Sequence, residues 1–78
     1  ELNAALHGML AKHQPPVYKG HQVKLYYITQ TAVRPPTFTA FCNYPEGIHF
    51  SYKRYLVNQL RESFAFEGAP LHLRIQHK

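Results

Sequence analysis

With 78 residues, the chain is long enough for one small domain built around one modest core. Nine Lys/Arg against four Asp/Glu give a formal net charge of +5, which favours a polyanionic partner, nucleic acid first. The one cysteine, Cys42, rules out an intrachain disulfide and suits a reducing cytoplasm, and no apolar run approaches the ~20 residues that cross a bilayer as a helix.

From Glu1 to His13 the apolar positions Leu2, Leu6, Met9 and Leu10 recur at helical spacing, and Pro15-Pro16 stops the pattern. Glu1 already sits inside the pattern with no convincing cap, so the chain is expected to be cut from something longer, with the cap upstream. After Gly20-His21, the run Val23 to Gln30 alternates as a strand. Val23, Leu25 and Tyr27 are expected on its core face, with Lys24, Tyr26, Ile28 and Gln30 opposite. Arg34-Pro35-Pro36 makes a stiff turn. The run Thr37 to Asn43 alternates again, Phe38, Ala40 and Cys42 facing the core and Phe41 the other side.

A second helix is predicted to start at Ser51 as N-cap, with Phe50 and Tyr55 as a hydrophobic staple. Tyr52, Leu56, Leu60 and Phe64 form its apolar stripe at i, i+4 spacing, and Arg54, Asn58, Arg61 and Glu62 fall opposite. Gly68 and Pro70 end the segment, and Leu71, Leu73 and Ile75 alternate with His72, Arg74 and Gln76 as a third strand. The order is α-β-β-α-β. Such an order makes a two-layer α+β domain, a three-stranded sheet with both helices on one face.

The residues offer little chemistry. The six histidines are scattered and no pair has a recognised ligand spacing, so no metal site is expected. Cys42 shares a face with Phe38 and Ala40, where a small buried thiol is an ordinary core occupant and not a nucleophile. The four glutamates, Glu1, Glu46, Glu62 and Glu67, are placed at the terminus, in turns or on an outer helix face, and form no acid/base pair. There is no G-x-x-x-x-G-K-[ST] loop, and the glycines at 8, 20, 47 and 68 never form the GXXG loop with which KH modules clamp nucleotides. An enzyme is not expected.

Several segments carry a resemblance. They are Leu2-Asn3, the run Lys24-Leu25-Tyr26-Tyr27-Ile28-Thr29-Gln30, Arg34-Pro35-Pro36-Thr37-Phe38, and Phe41 to Asn43. His49-Phe50-Ser51-Tyr52-Lys53-Arg54-Tyr55-Leu56, Asn58, Leu60-Arg61-Glu62, Phe66-Glu67-Gly68 and Pro70-Leu71 continue it. In order and spacing these resemble the C-terminal KH-like domain of the bacterial EngA/Der family of tandem-G-domain GTPases. The resemblance covers nearly the whole chain. It implies a KH-like fold without a GXXG loop, and a parent that acts in large ribosomal subunit assembly in the cytoplasm. On that view the 78 residues are a single KH-like domain with no cofactor of its own, GTP and magnesium belonging to the parent's two G domains.

Two surfaces follow. Lys53, Arg54, Asn58 and Arg61 on the second helix, with Lys24, Arg34 and Arg74 elsewhere, are candidate RNA contacts, because guanidinium forks suit phosphate oxygens. The plain alternative is a solvated helix face. Tyr26, Ile28 and Phe41 on the open sheet face are candidates for docking against the parent's G domains, or for stacking unpaired bases; docking is favoured because Ile28 cannot stack. The partners expected are rRNA and the G domains of the same polypeptide, for a monomer with no membrane role. A purely intramolecular regulator that never touches RNA is the alternative.

Overall fold

The computed structural model describes residues 1–64, 68 and 70–78. Among them lie helix α1 (Leu2–Lys12), the short strands β1 (Val17–Tyr18) and β2 (His21–Gln22), strands β3 (Leu25–Ala32) and β4 (Thr37–Cys42), helix α2 (Phe50–Phe64) and strand β5 (His72–His77). The placement of Glu67 in a turn lies outside the described residues. The main sheet has the order β3-β4-β5, with β3 antiparallel and β5 parallel to β4. Two parallel neighbours need a crossover, and α2 supplies it. α1 rests against β3 and α2 against β5, on one face of the sheet.

Leu6 and Met9 of α1, Leu25 and Ile28 of β3, Phe38, Ala40 and Cys42 of β4, Leu56 and Leu60 of α2, and Leu71 and Leu73 fill the layer between. Strands β4 and β5 keep the alternation expected of them. Strand β3 does not. Leu25 faces Cys42, but Tyr27 already faces Phe41, so β3 advances two residues where β4 advances one. Such a bulge reverses the side on which the following residues fall. Tyr27 therefore leaves the core for the open face, where it is 40% exposed, and Ile28 takes the core position at 3% exposure. Both expectations, Tyr27 as core and Ile28 as open-face docking residue, are corrected by this one residue. Val23 is buried as expected, though it precedes the strand.

Side chains from α1 and α2 tie the layers together. Glu1 caps α1, its carboxylate accepting from the Asn3 N–H at 3.2 Å, so the expectation of an uncapped start is corrected. Asn3 Oδ1 accepts from the Ile28 N–H at 3.0 Å, satisfying a donor on the outer edge of β3 just past the bulge. Tyr55 donates its hydroxyl to the Met9 carbonyl at 2.7 Å, and Tyr52 donates to the His13 carbonyl at 2.6 Å. The His13 carbonyl lies just beyond α1, where helical partners run out, and the Met9 carbonyl takes the tyrosine as a second donor beside the His13 N–H at 3.1 Å. The turn of the β1–β2 hairpin, Lys19-Gly20, has positive φ at both residues (49° and 80°), the geometry that suits a two-residue hairpin. This hairpin is too short to register as periodicity. It packs on Gly47, where an added Cβ would lie 2.7 Å from Tyr18 Cβ and 2.8 Å from Val23 Cγ2. The Arg34–Pro35 peptide in the β3–β4 turn is cis.

Candidate nucleic-acid interface

Helix α2 divides its surface by spacing. Leu56 and Leu60 face the core, with Tyr52 and Tyr55 turned toward α1. Phe50, Arg54, Val57 and Arg61, spaced i, i+4, i+7 and i+11, fall on one strip along the edge of the helix, flanked by Lys53 and Asn58, with Val57 half-buried against the core. Lys53, Arg54 and Asn58 are exposed and Arg61 is half-buried. The four α2 residues expected to contact RNA therefore lie together. The other three do not join them. Lys24 precedes β3 and borders the groove against α1, Arg34 is at the tip of the β3–β4 turn, and Arg74 projects from β5 on the open sheet face, opposite Thr39.

Phe50 is a residue that the sequence reading misassigned. His49 O accepts from the Lys53 N–H at 3.0 Å, so the helix is already under way at Phe50 and Ser51 lies in its first turn. The N-cap at Ser51 and the Phe50–Tyr55 staple are thus corrected. Phe50 instead points to solvent, 73% exposed, with the Arg54 guanidinium carbon 4.8 Å from its ring centroid. Phe50, Lys53, Arg54 and Val57 line a hollow of about 240 Å³. The signal that could have found it was the i, i+4 pairing of an aromatic with an arginine on the basic side of the helix.

The open face carries a second feature. Tyr27 and Phe41 stack across the β3–β4 pair, centroids 4.8 Å apart and planes at 25°. Phe41 lies on the open face as expected, and Tyr27 occupies the position expected for Ile28. Tyr26, at the bulge, is 42% exposed, with the Lys78 ammonium 5.2 Å from its ring centroid. A third group, also missed, lies by the hairpin, where His21 stacks on Tyr44 at 4.9 Å and Tyr18 lies 5.9 Å from Tyr44.

Burial pushes the Cys42 thiol up, a backbone hydrogen bond at Tyr44 opposes the shift, and the Glu46 carboxylate adds a still smaller upward push. The thiol is fully buried. Among the described residues no three His, Cys, Asp or Glu side chains come close enough to hold a metal ion. No helix among them is long and apolar enough to cross a membrane.

An α-β-β-α-β chain with a mixed sheet under two helices and no GXXG loop is a KH-like module stripped of the usual nucleotide clamp. The profile of the family described as the KH-domain-like C-terminal domain of EngA bacterial GTPase enzymes matches residues 1–76, and the chain belongs to that family. It is 56% identical over 72 residues to the GTPase Der of Moorella thermoacetica, covering 92% of this chain and 16% of that protein. Against the GTPase Der of Syntrophotalea carbinolica it is 48% identical over 77 residues, 99% of this chain and 18% of that protein. For the GTPase Der of Fusobacterium nucleatum the figures are 47% over 77 residues, 99% and 18%. The chain thus spans less than a fifth of the length of these relatives. What it matches is the C-terminal KH-like domain and not a G domain, so these 78 residues are not themselves a GTPase.

Proposed function

We propose that this domain is the RNA-contacting module of a Der-type GTPase that acts in large ribosomal subunit assembly in the cytoplasm. The observation that carries the reading is the outward strip of α2, where Lys53, Arg54, Asn58 and Arg61 lie on one side of one rigid helix. Two guanidinium groups, an ammonium and an amide at that spacing suit consecutive phosphate and sugar oxygens. The net charge of +5 supplies long-range attraction for rRNA. The test is a titration of amide shifts in the labelled chain with single-stranded and duplex fragments of large-subunit rRNA. Shifts along Arg54, Asn58 and Arg61 that fade with salt support the reading, with log affinity for single strands falling at about −0.7 per neutralised phosphate. Arg54→Glu with Arg61→Glu should weaken binding and lower that slope by about 1.4 if each contacts one phosphate. No shifts at any salt would sink it.

The Tyr27–Phe41 stack favours a second role beside this one, docking against the parent's G domains through the open sheet face. An exposed tyrosine stacked on a half-buried phenylalanine, on an otherwise threonine-rich face, is what a protein partner covers. If docking is all the domain does, it is an intramolecular regulator, and charge reversal on α2 leaves subunit binding untouched.

A further inference from the structure

We infer that Phe50 is a base-stacking residue and that the RNA held by α2 is therefore unpaired at that point; this rests on the RNA-contact reading above and deepens it. A phenylalanine in the first turn of a surface helix ordinarily turns toward the core or a neighbouring loop. Phe50 does neither and is 73% exposed. The Arg54 guanidinium lies 4.8 Å from its ring centroid, and Lys53 and half-buried Val57 complete a hollow of about 240 Å³. These four positions run i, i+3, i+4 and i+7 and share one strip. Their chemistry defines the occupant. The ring and the Val57 side chain present apolar surface to a flat group, the guanidinium plane can extend the stack, and the Lys53 ammonium stands where a backbone phosphate would be neutralised.

That combination fits a nucleobase with its own phosphate. An acidic peptide would use the cations and leave the ring unused; a paired base has no free π-face to give. The domain also lacks the GXXG clamp, so an aromatic beside paired cations supplies a different hold on a single strand. On this reading Arg54, Asn58 and Arg61 follow the sugar-phosphate chain along the helix while Phe50 anchors one base at its start.

The chain contains no tryptophan, so Phe50→Trp introduces one fluorophore at the site. The experiment titrates that variant, the wild type and Phe50→Ala with an octamer of single-stranded RNA, the matching duplex, and an octamer with abasic sugars. Stacking predicts saturable quenching of the Phe50→Trp signal by the single strand and none by the abasic strand. It also predicts that Phe50→Ala weakens the single strand at least about fivefold while duplex affinity holds within twofold, the lower bound for a stacked base. Equal loss for single strand and duplex, or no loss for either, overturns the stacking role and leaves the RNA-contact reading standing. Failure of the wild type to bind any of the three at low salt overturns both. Because the ring is exposed, Phe50→Ala keeps the core intact, and an unchanged circular dichroism spectrum verifies it.

Discussion

The two tyrosines that bind α1 to α2 make the fold sensitive to alkali. Burial pushes the Tyr52 phenol up to about 12, with Tyr55 beside it adding to the shift, and burial raises Tyr55 as well. Both donate hydroxyl protons to carbonyls, Tyr52 to His13 and Tyr55 to Met9, so the folded state favours their neutral forms. A group whose folded pKa lies above its unfolded value stabilises fully below the unfolded value, near 10 for tyrosine, and loses that contribution as pH rises through the folded one. For Tyr52 the window is therefore pH 10 to 12. An unscreened shift of this size would cost roughly 1.4 kcal/mol by pH 11. Half-solvated surroundings reduce this, and about 0.5–1 kcal/mol is expected. The Tyr52→Phe variant has no hydroxyl to titrate. It should lose about 1 kcal/mol at pH 8 from the missing hydrogen bond and fall less steeply than wild type between pH 9.5 and 11.5. Urea unfolding followed by circular dichroism at pH 8, 9.5, 10.5 and 11.5 measures both quantities. Parallel curves for wild type and Tyr52→Phe across that range would refute the linkage, whatever the offset between them.

Gly47→Ala should destabilise by about 1–3 kcal/mol, since the new methyl meets Tyr18 Cβ at 2.7 Å and Val23 Cγ2 at 2.8 Å and the β1–β2 hairpin must shift away from residue 47. At roughly 4–8 °C per kcal/mol a thermal melt resolves this, and an unchanged melting temperature would contradict the packing described. Asn3→Ala removes the acceptor of the Ile28 N–H at the bulged edge and should cost about 1–3 kcal/mol, with faster hydrogen exchange at Ile28 as the specific readout.

The helices and the two later strands were legible because their periodicity is undisturbed. Leu6 and Met9, Leu56 and Leu60, Phe38, Ala40 and Cys42, and Leu71 and Leu73 are all buried where 3.6- or two-residue spacing puts them. Strand β3 misled because alternation presumes a regular ladder, and the residues around Tyr26-Tyr27 include no glycine to mark a bulge. The available clue was chemical. From Leu25 to Gln30 the aliphatic residues are Leu25 and Ile28, three apart, and three is not a strand period. The hairpin was missed for a different reason, since two-residue strands have no period to read. On α2 the basic strip was visible as spacing, but Phe50 was assigned to a staple, because a sequence shows that an aromatic precedes a serine and not which way the ring turns.

The arrangement separates two surfaces that a small domain might be expected to merge. Tyr52 and Tyr55 on one side of α2, with Leu56 and Leu60 below, fix the helix against α1 and the sheet, so Phe50, Lys53, Arg54 and Asn58 are presented outward in the helix layer. Tyr27 and Phe41 stack on the sheet's opposite face, with the core between. One partner on each layer can be held at once without contest for the same residues. Substitutions on the two layers lie on opposite sides of the core and should act independently. Tyr27→Ala with Phe41→Ala should leave single-strand RNA affinity within about twofold, because additivity between separated sites holds to roughly 0.3–0.5 kcal/mol. The same pair should disturb association with the G domains, measured by adding those domains to the labelled chain. Arg54→Glu with Arg61→Glu should give the reverse pattern. A loss of RNA binding in Tyr27→Ala/Phe41→Ala that remained folded would mean that the strand crosses the sheet, and the division of labour between the layers would fall with it.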